Sequence, residues 1–229
     1  MMCMLGLTYA THNRAGEITF RQLSNYTYEI TITTYTYAPS PADRCSLEIF
    51  WGDGNSTVVD RTNGPAGSCD HMGEIIGPDM KKNVYVGVHT YAAPATYIVY
   101  FEDPNRNAGV VNIPNSVNVP FYVETQLIVN PFLGVNNSPT LLNPPIDEAC
   151  VNFPFVHNPG AYDIDGDSLS YSLIVCKGEY GLDIIGYTLP ATNSVFQIDA
   201  VTGDLLWDYP ITLGEYNLAI LIEEWRNGI

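Results

Sequence analysis

The sequence predicts an all-β protein built as two antiparallel β-sandwiches in tandem. Three observations carry this. Apolar and polar residues alternate with a period of two along most of the chain, and no window of useful length shows helical periodicity. Sixteen Tyr, 19 Gly and 16 Pro among 229 residues suit short strands joined by turns. A stretch rich in Pro, Asn and Gly at 130–145 separates two sets of strands, and the length allows one or two domains of roughly 100–200 residues.

The strands follow in order. Tyr28, Ile30 and Ile32 alternate with Glu29, Thr31 and Thr33. Leu47, Ile49 and Trp51 form a second apolar face, and Tyr97, Val99 and Phe101 a third. The longest alternation runs through Val117, Val119, Phe121, Val123, Thr125, Leu127 and Val129. Beyond the boundary, strands are expected at 150–156, 169–175, 195–198, 204–207 and 215–222. The expected division is a leader remnant at 1–10, a first sandwich at 11–130, a linker at 131–140 and a second sandwich at 141–229. The second sandwich is expected to continue beyond the last residue.

Composition excludes several functions. Nine Lys and Arg against 25 Asp and Glu give a net charge of −16. A nucleic-acid binder needs a basic footprint to displace counterions from phosphate, and anionic lipid would repel this chain. No run of residues reaches the ~20 apolar positions that a membrane-spanning helix requires. The charge is uneven: residues 1–135 carry a net −5 and residues 136–229 a net −11. Self-repulsion of that density destabilises a compact state unless something neutralises it, and a bound cation is the natural candidate.

The apolar start, Met1 to Leu7, followed by Thr8-Tyr9-Ala10, reads as the end of a secretory leader with a small-residue cleavage site. Without Cys3, four cysteines remain: Cys45, Cys69, Cys150 and Cys176. Four allow three connectivities. Pairing within each half, Cys45–Cys69 and Cys150–Cys176, is favoured. No C-x-x-C spacing suggests zinc.

Two motifs stand out. Trp51-Gly52-Asp53-Gly54 closes a strand, and His89-Thr90-Tyr91 follows before Ala95-Thr96-Tyr97-Ile98-Val99. In the second half, Asp163-Ile164-Asp165-Gly166-Asp167 places three carboxylates within five residues, directly before an alternating strand. Carboxylates this close repel one another, and Ca²⁺, which takes six to eight oxygens in irregular geometry, removes the repulsion. The spacing is not that of an EF-hand, because Ser168 and Ile174 stand where that loop needs Gly and Glu.

The first motif pair resembles the polycystic-kidney-disease (PKD) domain, with its W-G-D-G-like turn, H-x-Y and G-x-Y-x-V strand, over roughly residues 15–128. Ala95 replaces the usual Gly. The resemblance implies an Ig-like sandwich in which Trp51, Gly52, Asp53, Gly54, His89 and Tyr91 are structural, with His89 and Tyr91 starting a strand that faces the turn. The second motif resembles the D-x-D-G-D-x-L-x-Y of bacterial cadherin-like Ig modules. Phe196-Gln197-Ile198-Asp199 with Thr202-Gly203-Asp204-Leu205, and Gly214-Glu215-Tyr216 with its acidic closing strand, agree with that family over 137–229. The resemblance implies calcium at the domain edge, with Asn137, Asp147 or Glu148, Asp163, Asp165, Asp167 and Glu224 as ligands. The family usually has Asp where Glu224 stands. Segments 12–19 and 104–110 are similar to gliding-motility-associated and type IX-secreted surface proteins of Bacteroidetes-type bacteria.

Catalysis is not expected. The four His lack metal-type spacing, and neither a G-x-S-x-G elbow nor a phosphate loop is present. The expected role is a non-catalytic extracellular or cell-surface segment of a longer protein. It would be a calcium-stiffened spacer or adhesion module, partnered by neighbouring domains and by surface proteins or polysaccharide. The alternative is a carbohydrate-binding module, with Tyr35, Tyr37 and Tyr100 as exposed aromatics, or an accessory domain of a secreted hydrolase. Asn25, Asn55 and Asn136 are N-x-S/T acceptors that matter only in a eukaryotic source.

Overall fold

A computed structural model describes residues 13–40, 43–104 and 106–226. The leader expected at 1–10 lies outside them. The fold is all-β and every strand pairing is antiparallel.

The N-terminal half is a two-layer sandwich. One sheet has the order β1-β2-β6-β5, from β1 (Asn13–Ser24), β2 (Thr27–Tyr37), β5 (Glu74–Ile75) and β6 (Met80–Thr90). The other runs β4-β3-β7-β8, from β3 (Ser46–Phe50), β4 (Ser56–Asp60), β7 (Ala95–Asp103) and β8 (Phe121–Val129). Facing residues alternate as a pleated strand requires. Ile30 and Ile32 of one sheet meet Ile49, Trp51, Val99, Leu127 and Val129 of the other in one buried cluster. Gly87, in the middle of β6, admits Trp51: a Cβ there would lie 2.9 Å from the indole and from Ile49. The long alternation expected from Val117 begins only at Phe121, because residues Ser116–Asn118 form a 3-10 turn entered through left-handed Asn115.

The C-terminal half is built from smaller sheets. β10 (Phe155–His157), β14 (Leu205–Trp207) and β13 (Phe196–Ile198) form one, β12 (Ser168–Ile174) pairs with β15 (Ala219–Trp225), and β9 (Thr140–Leu141) pairs with β11 (Ala161–Tyr162). The strand expected at 150–156 is a turn for most of its length, and the one at 215–222 starts four residues later. Tyr171, Leu205 and Trp207 are buried here, and the Tyr171 ring packs on Gly203, where a Cβ would come within 2.9 Å.

The linker is not the sole connection between the halves. The crossing segment 106–120 between β7 and β8 sends Val110 and Ile113 into a buried cluster with Cys176 and Ile184. Arg106 donates to Asn217 Oδ1 (2.7 Å) and to the Pro120 and Lys177 carbonyls. Asn112 and Asn217 exchange side-chain and backbone bonds. The linker itself lies along β1: Ser138 N–H donates to the Phe20 carbonyl, Phe20 N–H to Ser138 Oγ, and Asn136 N–H to Gln22 Oε1.

Cys45 and Cys69 form the expected disulfide, with a sequence separation of 24. The expected Cys150–Cys176 bond is corrected: both thiols are free, Cys150 exposed and Cys176 buried. Cys176 is claimed by the apolar cluster between the halves, and burial pushes its thiol up to about 11.

Candidate metal centre

The loop between β11 and β12 is organised by Asp163. Its Oδ1 accepts the N–H groups of Asp165 (2.9 Å) and Asp167 (3.0 Å), while Gly166 takes φ +83° to close the turn. Asp163 is 7% exposed, and its second oxygen, Oδ2, is buried with no hydrogen-bond partner. Such an orphan acceptor is costly in a native fold.

Antiparallel pairing brings the third carboxylate. Glu224 lies opposite Leu169 in the β12–β15 register. One oxygen each of Asp163, Asp167 and Glu224 fall within 4.8 Å of one another. Burial pushes the Glu224 carboxyl up to about 7, assisted by its bond to Asp167 and by the negative charges of Asp163 and Asp167. Asp167 moves the other way, because the Arg226 guanidinium holds it below the usual carboxylate range.

Arg226 is the cationic partner already in place. Its Nε and Nη2 donate to Asp167 Oδ2 (2.9 and 2.6 Å), and Nη1 donates to the carbonyls of Val135 (2.7 Å) and Leu133 (3.4 Å) in the linker. Asp165 lies 3.6 Å from the same guanidinium. One cation among four carboxylates leaves the cluster acidic.

The expected ligands divide. Asp163, Asp167 and Glu224 converge. Asp165 is turned to the linker, where it accepts from the Asn137 N–H (2.7 Å) and side-chain amide. The side-chain oxygen of Asn137 is occupied by the Gln22 N–H. Asp147 contacts His157 at 3.3 Å and accepts from the Glu148 N–H. Neither Asp147 nor Glu148 belongs to the three-carboxylate group found among the described residues. Sequence reasoning missed Asn136 as a neighbour of the carboxylate group: its amide bonds Glu224 and its Oδ1 is buried without a partner. The N-x-S/T pattern that marks Asn136 bears on glycosylation, so no sequence signal pointed to this role. Asp163, Asp167 and Glu224, with Asn136 beside Glu224, offer oxygen donors alone, which suits a hard cation such as Ca²⁺ or Mg²⁺ rather than zinc.

The Trp51-Gly52-Asp53-Gly54 turn is a separate polar knot. His89 Nε2 meets Asp53 Oδ2 at 2.7 Å, and the imidazole stacks on Trp51 at 4.8 Å. Tyr91 Oη donates to the Trp51 carbonyl at 3.0 Å. Burial works against the Asp53 charge, yet bonds from His89 and the Asn55 N–H hold its carboxyl low. A Cβ on Gly52 would stand 2.5 Å from the Ile98 carbonyl. His89 ends β6 rather than starting a strand, but it does face the turn. The groups satisfy one another and lie against the core.

Of the aromatics considered for sugar stacking, Tyr37 is exposed, with the Arg14 guanidinium 4.9 Å over its ring, while the other two are not open. Tyr35 is 3% exposed. Tyr100 is sandwiched between Phe50 at 4.6 Å and Tyr122 at 5.3 Å, so both of its faces are taken. Among the described residues, no helix is long and apolar enough to cross a membrane. No protein-family model, curated protein or solved structure matches this chain.

Proposed function

We propose that this chain is a non-catalytic, calcium-stiffened spacer or adhesion segment of a longer extracellular or surface protein, made of a PKD-like and a cadherin-like sandwich. The observation that supports it best is the convergence of the Asp163, Asp167 and Glu224 carboxylates, with Asp163 Oδ2 buried and unpartnered. A cation held by Asp163, Asp167, Glu224 and Asn136 would satisfy two orphan oxygens and offset the surplus charge of residues 136–229. The Cys45–Cys69 disulfide is compatible with an oxidising compartment.

The mechanism is mechanical. Asn136 and Asn137 bond both the acidic loop and Gln22 of β1, so the centre touches both halves. Arg226 ties β15 to the linker from the other side. Filling the centre would fix the acidic loop, the linker and β15 relative to the first sandwich.

The test is a thermal melt of the full chain in EDTA and in millimolar CaCl₂. Binding to the native state alone stabilises by about 2.7 kcal/mol at a hundredfold excess over Kd, a shift of several degrees. The Asp163→Asn variant keeps the turn-closing acceptor and loses the charge, so it should abolish the rise. A melt indifferent to both calcium and magnesium would leave a passive spacer.

A further inference from the structure

The strand that carries Glu224 has an unused side. β15 pairs with β12 along all 7 of its residues, with no register shift. Its opposite edge makes no backbone hydrogen bond to any described residue. Unpaired N–H and C=O groups along such an edge are a template for another strand.

Other edges are protected. The outer edge of β1 is covered by the linker, where Phe20 and Ser138 exchange bonds, and β1 carries two register shifts. β10 and β13, the edges of the three-stranded sheet, have 3 residues each. β15 has none of these devices. Its run Ala219-Ile220-Leu221-Ile222-Glu223-Glu224-Trp225 contains neither Pro nor Lys.

The edge is also preformed. At one end the Asn217 N–H donates to Asn112 Oδ1 (3.0 Å), and at the other Arg226 holds Asp167 and the Val135 carbonyl. A strand already fixed at both ends pays little ordering entropy when it docks. The β12 register sets Leu221, Glu223 and Trp225 on one face, opposite Ser172, Ser170 and Ser168, and Ile220, Ile222 and Glu224 on the other. Leu221 is 40% exposed. Trp225 is tied back to β12 through its bond to Ser170 Oγ (2.8 Å).

The residue order of β15 suits a copy of itself. Antiparallel pairing about a two-fold axis at Ile222 uses the whole strand: Ala219 meets Trp225, Ile220 meets Glu224, Leu221 meets Glu223, and Ile222 meets its own copy. Each Glu then stands opposite an apolar residue. An axis at Glu223 would set two carboxylates directly opposite, which is destabilising. We propose that β15 is a homotypic docking edge, where a second copy of this chain adds its own β15 antiparallel and joins two β12–β15 pairs into one sheet. This reading does not rest on the metal centre.

The test is sedimentation equilibrium of the full chain in EDTA, from micromolar to high-micromolar concentration. A monomer–dimer equilibrium is expected. Leu221→Glu sets a carboxylate against Glu223 of the partner subunit, twice per dimer, and should weaken association by about tenfold. Leu221→Lys sets an ammonium there instead and should keep or tighten it. Both variants remove the same exposed side chain, opposite Ser172 in its own sheet, so their difference reads the contact between copies. Equal weakening by the two would mean unspecific apolar association. A dimer untouched by Leu221→Glu would place the contact elsewhere, and a monomer at every concentration would leave the edge to a foreign strand. Each of these results would overturn the proposal.

Discussion

The two halves of this chain are held by different forces. The N-terminal sandwich buries fifteen apolar residues in one cluster, with Ile30, Ile32, Ile49, Trp51 and Val99 fully enclosed. The C-terminal half buries few, and leaves Phe153, Ile164, Ile185, Val201 and Leu213 exposed. Its order comes from Asp- and Asn-centred turns, from the Arg226 clamp, and from docking on segment 106–120. Apolar burial is non-directional and indifferent to ions. Carboxylate clusters respond to cations and to pH. The halves should therefore respond separately when each force is removed.

The largest effect should come from the core. Trp51→Ala removes a fully buried indole and should cost about 3–5 kcal/mol. Calcium should not recover the lost near-ultraviolet signal of the sandwich. Recovery in calcium would mean that the acidic centre also supports this core.

Reducing Cys45–Cys69 should come next. Opening a loop with a separation of 24 costs about 3 kcal/mol on chain entropy. The midpoint of denaturant unfolding should fall by the same amount in EDTA and in calcium, because the bond lies wholly in the first half.

Calcium itself should raise the transition by about 2.7 kcal/mol at a hundredfold excess over Kd, and hydrogen exchange should slow in β12 and β15 before it slows in β2 and β6. Protection appearing equally everywhere would dissolve the distinction between the halves.

A further effect is on pH. Glu17 in β1 and Glu224 in β15 are each pushed up to about 7, chiefly by burial. A carboxyl raised on folding binds its proton more tightly in the native state. Its stabilising contribution is full below the unfolded pKa near 4.5 and is lost as pH rises toward 7. In EDTA, melting temperature should fall between pH 5 and pH 8. Calcium should remove the Glu224 part and Glu17→Gln the rest, as followed by melts at each pH. A pH response fully abolished by calcium would show that Glu17 contributes nothing.

How far the chain could be read without coordinates differs between the halves in the same way. Period-two alternation located β2, β3 and β7, because each has one face on an apolar core. It overran at Val117, where the 3-10 turn aims Val117 outward, and at 150–156, where little core exists to enforce a strand. Asp163 and Asp167 were legible from local spacing. Asn136, Arg226 and the split between Asp165 and the other carboxylates were not, since they depend on which groups the linker and β15 bring to the loop. The Cys150–Cys176 pairing failed for a related reason: proximity in sequence says nothing about a thiol drawn into the cluster between the halves.

The sequence by itself determined the all-β class, the acidic second half and the turn residues, because each depends on a residue and its near neighbours. Only the tertiary structure decided that 106–120 straps the halves together, that Asp163 keeps one oxygen unpartnered, and that Lys81 and Arg61 share Asp43. Those features join residues 18 to 111 positions apart. Burial and pairing at such distances are properties of the packed chain, and no local pattern encodes them.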